Sequence, residues 1–266
     1  MALIIGGLNG SGKSLLRVLC DSHPLIEVTE EFQNFMKLNV CYKEYVQTLR
    51  TNWNKYPFFK KYSLNGSTRS SQVRWRFKSC IFLARYLLEL QVYRRKVIDV
   101  DVVETVLRRI FPTTVVVGDV HTYYSLNLEK LVGVPGLSIA IVYRDCRDVA
   151  ATMAGRFNLQ LRRRERPWAK IMDTSMKLAK TWVQSIEMME RYTDQIHMIR
   201  YEELVTNPES VLEAFGNWLD VYPQGFRSQI IHSDKVGEYK RSLSEKEVSD
   251  IIVVAGPTLK RLSYEV

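Results

Sequence analysis

The stretch at residues 2–14 constrains this chain more than any other: Ala-Leu-Ile-Ile-Gly-Gly-Leu-Asn-Gly-Ser-Gly-Lys-Ser. Its apolar start predicts a buried strand over residues 2–5. Gly6, Gly7, Gly10 and Gly12 then break the chain, and Leu15, Leu16, Val18 and Leu19 recur at helical spacing. Strand, glycine loop and helix form the setting of a phosphate-binding loop, and residues 7–14 satisfy the G-x-x-x-x-G-K-[ST] pattern in full. Glycines let the backbone turn tightly and aim its N–H groups inward. The helix that follows presents its positive end to an anion, and Lys13 adds a point charge. Asn9, Gly10, Ser11, Gly12, Lys13 and Ser14 are therefore candidate phosphate ligands. The alternative is an ordinary glycine turn between a strand and a helix, against which the Lys13-Ser14 pair weighs.

Beyond the loop, strands and helices alternate. Residues 114–119, 137–143 and 196–201 read as strands, and residues 32–49, 72–93, 100–110, 125–131, 148–157 and 168–192 as helices. Residues 51–71 read mostly as loop, since Pro57 and Asn65-Gly66-Ser67 interrupt them. Asn207 is expected to cap a helix with Pro208 at its first position. Ser244 and Glu247 have capping-box spacing ahead of a last helix over 244–262. This order implies an α/β fold, a three-layer sandwich with a central parallel sheet, built as one domain over residues 1–266. Ligands of such sheets bind outside the carboxyl ends of the strands. The loop, Asp119, Arg144 and Tyr201 should meet there.

With 46% hydrophobic and 25% charged residues, the 266-residue chain has the composition of a soluble domain with a substantial core. No run nears the roughly 20 apolar residues of a membrane span, and a first strand at residue 2 argues against a signal peptide. Cys20, Cys41, Cys80 and Cys146 lie far apart without C-x-x-C spacing, so reduced thiols and a cytoplasmic location are expected, and no metal site. The net charge of +9 is concentrated: residues 37–96 hold 14 Lys or Arg against two acids, Glu44 and Glu89. Either this segment faces an anionic partner or it is a solvated helical face. Aromatics interleave with its basic residues, among them Trp53, Tyr56, Phe58, Phe59 and Tyr62, which suits sugar or base stacking as well as core packing. Arg162, Arg163, Arg164 and Arg166 form a second basic cluster.

Several motifs give the chain a family likeness. Asp21, His23, Pro24, Glu30 and Glu31 follow the loop; Arg144-Asp145-Cys146-Arg147-Asp148 leads to Thr152; Arg200-Tyr201-Glu202-Glu203-Leu204-Val205 leads to Trp218-Leu219; Ala255-Gly256-Pro257 leads to Tyr264. In that order they resemble the sulfotransferases that use 3′-phosphoadenosine 5′-phosphosulfate (PAPS), especially the protein-tyrosine and bacterial branch. The resemblance implies the P-loop nucleoside triphosphate hydrolase-like fold, with PAPS as donor and adenosine 3′,5′-bisphosphate (PAP) as product. It assigns the 3′-phosphate to Arg144 and Thr152 and sets Tyr201 against the nucleotide. Lys240 and Arg241 lie in the stretch that resembles the family's Gly-Arg-Trp segment and would also hold the nucleotide. The chain departs from the family where Asn9-Gly10 replaces Pro-Arg and Lys13-Ser14 replaces Thr-Thr, and where Val120 follows Gly118-Asp119 in place of Lys. The likeness fades over residues 37–110, where acceptor-binding segments vary in this family.

The chemistry so implied needs a base for the acceptor's proton and cations for the charge on the transferring group and leaving phosphate. Lys13 is the candidate cation. Glu31, the second of the Glu-Glu pair, is the candidate base, with His121 orienting or stabilising the acceptor. The two roles are reversed if the chain works as the His-using branch does. The basic segment implies an anionic small-molecule or glycan acceptor, with no specific nucleic acid partner. Two other readings stay open. One is a P-loop kinase or triphosphatase, with magnesium held by Ser14 and Asp119. The other is a non-catalytic anion-binding relative.

Overall fold

The computed structural model describes residues 1–53, 69–162, 175–231 and 235–266, and side chains outside 52–53, 69–79 and 156–162. The chain opens with β1 (Ala2–Gly6), α1 (Lys13–Ser22) and β2 (Ile26–Glu30). Then come β3 (Val40–Cys41), α2 (Tyr42–Trp53), α3 (Arg69–Leu90), β4 (Val97–Ile98) and α4 (Val100–Ile110). They are followed by β5 (Val116–Val120), α5 (Thr122–Leu126), β6 (Leu137–Tyr143), α6 (Cys146–Arg162), α7 (Ser175–Arg191) and β7 (His197–Arg200). The helices α8 (Tyr201–Thr206), α9 (Pro208–Trp218), α10 (Tyr239–Ser242) and α11 (Glu245–Arg261) complete the chain.

Every residue of β1 is buried, as an apolar run without alternation requires at the centre of a parallel sheet. The sheet has five strands in the order β2-β5-β1-β6-β7, all parallel. Ala2 and Ile4 belong to the core that α2, α3, α4, α6, α7 and α11 share, and Leu3 and Ile5 to the core of α1, α8 and α9. That is the expected three-layer α/β sandwich. The strands β3 and β4 form a separate antiparallel pair.

Several element boundaries differ from expectation for identifiable reasons. Residues 31–39 are an irregular loop, and α2 starts only at Tyr42. The backbone N–H groups of Phe32 and Gln33 donate to Asp119 instead of to a helix ladder, at 3.0 Å each. Phe32 and Phe35 still enter the core, so their spacing imitated a helix. α5 comes earlier than residue 125, because His121 caps it through its own ring. Asn207 precedes Pro208 at the start of α9, yet its side chain makes no capping bond. The capping box of Ser244 and Glu247 forms both of its bonds. Most of the expected loop at 51–71 and the start of the helix expected at 168–192 lie outside the described residues, as do Trp53, Tyr56, Phe58, Phe59 and Tyr62 or their side chains and the Arg162–Arg166 cluster. Among the described residues no helix is long and apolar enough to cross a membrane.

Candidate active site

The strand register brings the candidate residues to one edge. Glu31, His121, Arg144 and Tyr201 are each the first residue beyond β2, β5, β6 and β7, and the glycine loop follows β1 in the middle. The backbone N–H of Glu31 donates to Val120 O, and that of His121 to Ile5 O, both at 3.0 Å, so these neighbours are fixed by main-chain bonds.

The loop is packed too closely for side chains. Gly12, at φ +100°, ends it as the residue before α1, and a Cβ there would lie 2.2 Å from the Tyr201 ring. A Cβ on Gly10, at φ +93°, would lie 3.1 Å from Val149 O and 3.2 Å from Thr152 Cβ. The loop thus rests on α6 and on Tyr201 at once. The Ser11 hydroxyl is buried with no hydrogen-bond partner. Lys13 is 5% exposed, and its Nζ donates to Asn9 Oδ1 at 3.2 Å. Ser14 is exposed at the start of α1, whose first turn carries no acidic residue.

Arg144 is 2% exposed and held from several sides. Its Nη1 donates to Gly10 O and to Thr152 Oγ1, both at 3.2 Å, and its Nη2 pairs with Asp148 at 3.3 Å and donates to Lys235 O. Its guanidinium lies over the Tyr201 ring, 4.5 Å from the centroid. Trp182 Nε1 donates to Arg144 O at 2.9 Å. Only Nε of the guanidinium is buried without a partner. Asp148 also accepts from the backbone N–H groups of Gly237 (2.8 Å) and Tyr239 (3.0 Å), and the Arg147 guanidinium lies 4.4 Å from the Tyr239 ring centroid. Lys240 and Arg241 are thereby carried on α10 beside the Arg144 anchor, both exposed.

Behind this anchor, Glu202 accepts from Asp145 N and from the Tyr264 hydroxyl, each at 2.9 Å. Burial pushes the Glu202 carboxyl up, and these bonds act against it. The Arg200 guanidinium lies 4.1 Å from the Tyr264 ring centroid, which ties Tyr264 to the end of β7 as well.

On the other side of the loop, Asp119 is wholly buried and accepts from Thr29 Oγ1 (2.7 Å), Phe32 N (3.0 Å), Gln33 N (3.0 Å) and Tyr124 OH (2.6 Å). Burial pushes its carboxyl up to about 7 against those donors. With four protein donors on its carboxylate it is a structural hub, an arrangement that speaks against the alternative in which it shares magnesium with Ser14. His121 Nδ1 accepts from Tyr123 N at 2.9 Å, so the neutral ring carries its hydrogen on Nε2. That atom lies 3.2 Å from Gln33 Nε2, so this tautomer requires the Gln33 carboxamide to turn its oxygen toward the ring. Burial, and next the charge of Lys13, push His121 down to about 4, so at neutral pH it is an uncharged donor. Glu31 stands in the left-handed region at φ 56°, and Gln33 at φ 64°.

Parts of the motifs prove to be joinery. Asp21 pairs with Arg17 at 2.5 Å and accepts from Val28 N at 3.1 Å; Glu30 lies 3.9 Å from Arg17; His23 Nε2 meets Tyr222 O at 2.9 Å. Sequence reasoning did not single out Asp148, Glu202, Tyr264, Trp182 or Thr122 as site residues. The first three stood inside the quoted motifs. Trp182 and Thr122 carry no local signal, because their partners are distant in sequence.

The sequence profile of the Sulfotransferase family matches residues 2–225, and the chain belongs to that family. Among solved structures it is similar to the sulfotransferase domain of the Synechococcus PCC 7002 olefin synthase, at 14% identity over 100% of this chain and 95% of that one, with a TM-score of 0.56. It is also similar to sulfotransferase STF9 from Mycobacterium avium, at 14% identity over 100% of this chain and 77% of that one, with a TM-score of 0.52. At such identities the likeness is one of fold. No curated protein sequence matches the chain.

Proposed function

We propose that the chain, acting as one domain over residues 1–266, moves a sulfuryl group from PAPS to a hydroxyl or amine of a carbohydrate or other anionic acceptor. The observation that carries this reading is the reach of Arg144 Nη1 to both Gly10 O and Thr152 Oγ1, at 3.2 Å each. It supports a second anion station beside the loop, which a triphosphate does not need and a nucleotide with separate 5′- and 3′-phosphates does. The donor set fits such a ligand: the Ser11 hydroxyl and Arg144 Nε are buried donors without partners, and an oxyanion suits both. Lys240 and Arg241 would add charge at the 3′-phosphate.

PAPS, when bound, supplies the sulfuryl group and leaves as PAP. Lys13, the loop N–H groups and Ser14 neutralise charge around the 5′-phosphate and the transferring group. Glu31 takes the proton of the acceptor as the new bond to sulfur forms. His121 is the weaker candidate for that role, since its Nδ1 already accepts a hydrogen bond and burial lowers the basicity of the ring. It orients the acceptor through Nε2–H. Lys43, Arg50, Arg85, Arg94, Arg95 and Lys96 are exposed and favour an anionic acceptor, while the basic residues between 54 and 79 lie outside the described side chains.

Calorimetry with PAP and with ATP–magnesium tests the reading. PAP should bind more tightly. Tighter binding of ATP–magnesium overturns the assignment.

A further inference from the structure

We infer that Asn9 and Thr122 are a positioning pair that fixes the Lys13 ammonium at the junction between the phosphate loop and the turn from β5 into α5. The inference rests on the reading above, in which Lys13 serves the transferring group. A lysine side chain is long and rotamer-rich, so a cation of this kind acts reliably only if something holds its head. Here the holder is one carboxamide oxygen. Asn9 Oδ1 accepts from Lys13 Nζ at 3.2 Å and from Thr122 Oγ1 at 3.0 Å, which uses both of its lone pairs. Asn9 lies in the loop, and Thr122 is the first residue of α5, next to His121. The single oxygen therefore staples the ends of two adjacent strands and puts the ammonium between them.

Two consequences separate this arrangement from a general phosphate contact. The Asn9 oxygen is an acceptor and has nothing to offer a phosphate; its task is the lysine. The ammonium also sits close enough to His121 to oppose protonation of the ring, in support of burial. Lys13 and His121 then act as a set, a cation and a neutral donor, leaving proton removal to a carboxylate. In this chain Asn9-Gly10 stands where the resemblance expects Pro-Arg, and the cation is displaced to residue 13. The carboxamide of Asn9, next to the vacated position at Gly10, accepts from the displaced ammonium.

The test uses Thr122→Val, which keeps the shape and removes the hydroxyl, with Thr122→Ser as the rescue, Asn9→Ala as a second way to cut the staple, and Lys13→Met as the reference. The first readout is the His121 imidazole titration by NMR in the nucleotide-free protein. Lys13→Met should raise its midpoint by about one pH unit. Thr122→Val and Asn9→Ala should shift it the same way, and Thr122→Ser should match the parent. The second readout is release of sulfate from PAPS to water, in which the bond from sulfur to the 5′-phosphate oxygen breaks, water oxygen bonds to sulfur and water gives up its protons. Thr122→Val should slow it between about tenfold and a hundredfold, with PAP affinity within about twofold of the parent. A His121 midpoint that Lys13→Met does not move overturns the inference. So does one that moves with Lys13→Met and stays fixed in both Thr122→Val and Asn9→Ala. If PAP does not bind the parent protein, the donor reading fails, while the titration still decides the positioning pair.

Discussion

The two halves of the site solve the same backbone problem with different residues. At the glycine loop the chain turns through Gly7 (φ 144°), Gly10 (φ 93°) and Gly12 (φ 100°), where the left-handed side costs little. In the segment after β2 it turns through Glu31 (φ 56°), Gln33 (φ 64°) and Asn39 (φ 58°), each with a side chain to accommodate. The first turn is made easy by glycine itself, with Arg144 on Gly10 O and Thr122 on Asn9 adding to it. The second is held by tertiary bonds: Phe32 N and Gln33 N on Asp119, Glu31 N on Val120 O and Asn39 N on Ile98 O. A loop made of glycine carries its shape in its composition. A loop pinned to a buried carboxylate borrows its shape from the sheet.

This contrast can be broken from either side, and the largest effect is expected at Glu31. Glu31→Gln keeps the size of the side chain and removes its basicity. Turnover should fall by roughly 10²–10⁴ with PAP affinity nearly unchanged. An active Glu31→Gln together with a dead His121→Ala would transfer the base role to the histidine.

Next in size is the hub. Asp119→Ala strands the four donors of Thr29, Phe32, Gln33 and Tyr124 and should cost about 3–5 kcal/mol in chemical denaturation. The pH profile has a definite sign. Burial raises the folded carboxyl from 3.8 to about 7, so its stabilising share is complete below the lower value and is lost as pH rises through the upper one. The variant should lose that decline between about pH 4 and 7. A loss of stability of well under 1 kcal/mol would mean that the glutamate loop supports itself. The smallest effect is expected at the other end. Arg144→Ala should weaken PAP by about 1.5–3 kcal/mol and adenosine 5′-phosphate much less, measured by calorimetry. Equal losses for the two nucleotides would remove the 3′-phosphate from Arg144.

Legibility in the sequence follows the same division. The glycine loop, β6 and the Ser244 capping box were readable because each depends on residues within a few positions of one another. The segment at 31–39 was misread as helix because Phe32 and Phe35 have helical spacing, while the bonds that bend it come from Asp119, more than eighty residues away. His23 and Asp21 belonged to a recognisable motif, yet only their contacts with Tyr222 and Val28 show that they brace α1. Asp119 itself looked like a polar strand end open to a cation. Its wholly buried position among four donors comes from β2 and β5 lying side by side.

The sequence by itself determined the family, the alternation that yields a parallel sheet, and the residue types at the head of each strand, since these rest on short-range pattern and on glycine's freedom at positive φ. The tertiary structure alone decided which of those groups gather at the sheet edge and which are braces. Strand order placed Glu31 beside His121, Thr122 against Asn9 and Arg144 over Tyr201, each pairing made between segments far apart in the chain. Whether a buried carboxylate, imidazole or ammonium is charged, and toward what, depends on the neighbours that such pairings supply.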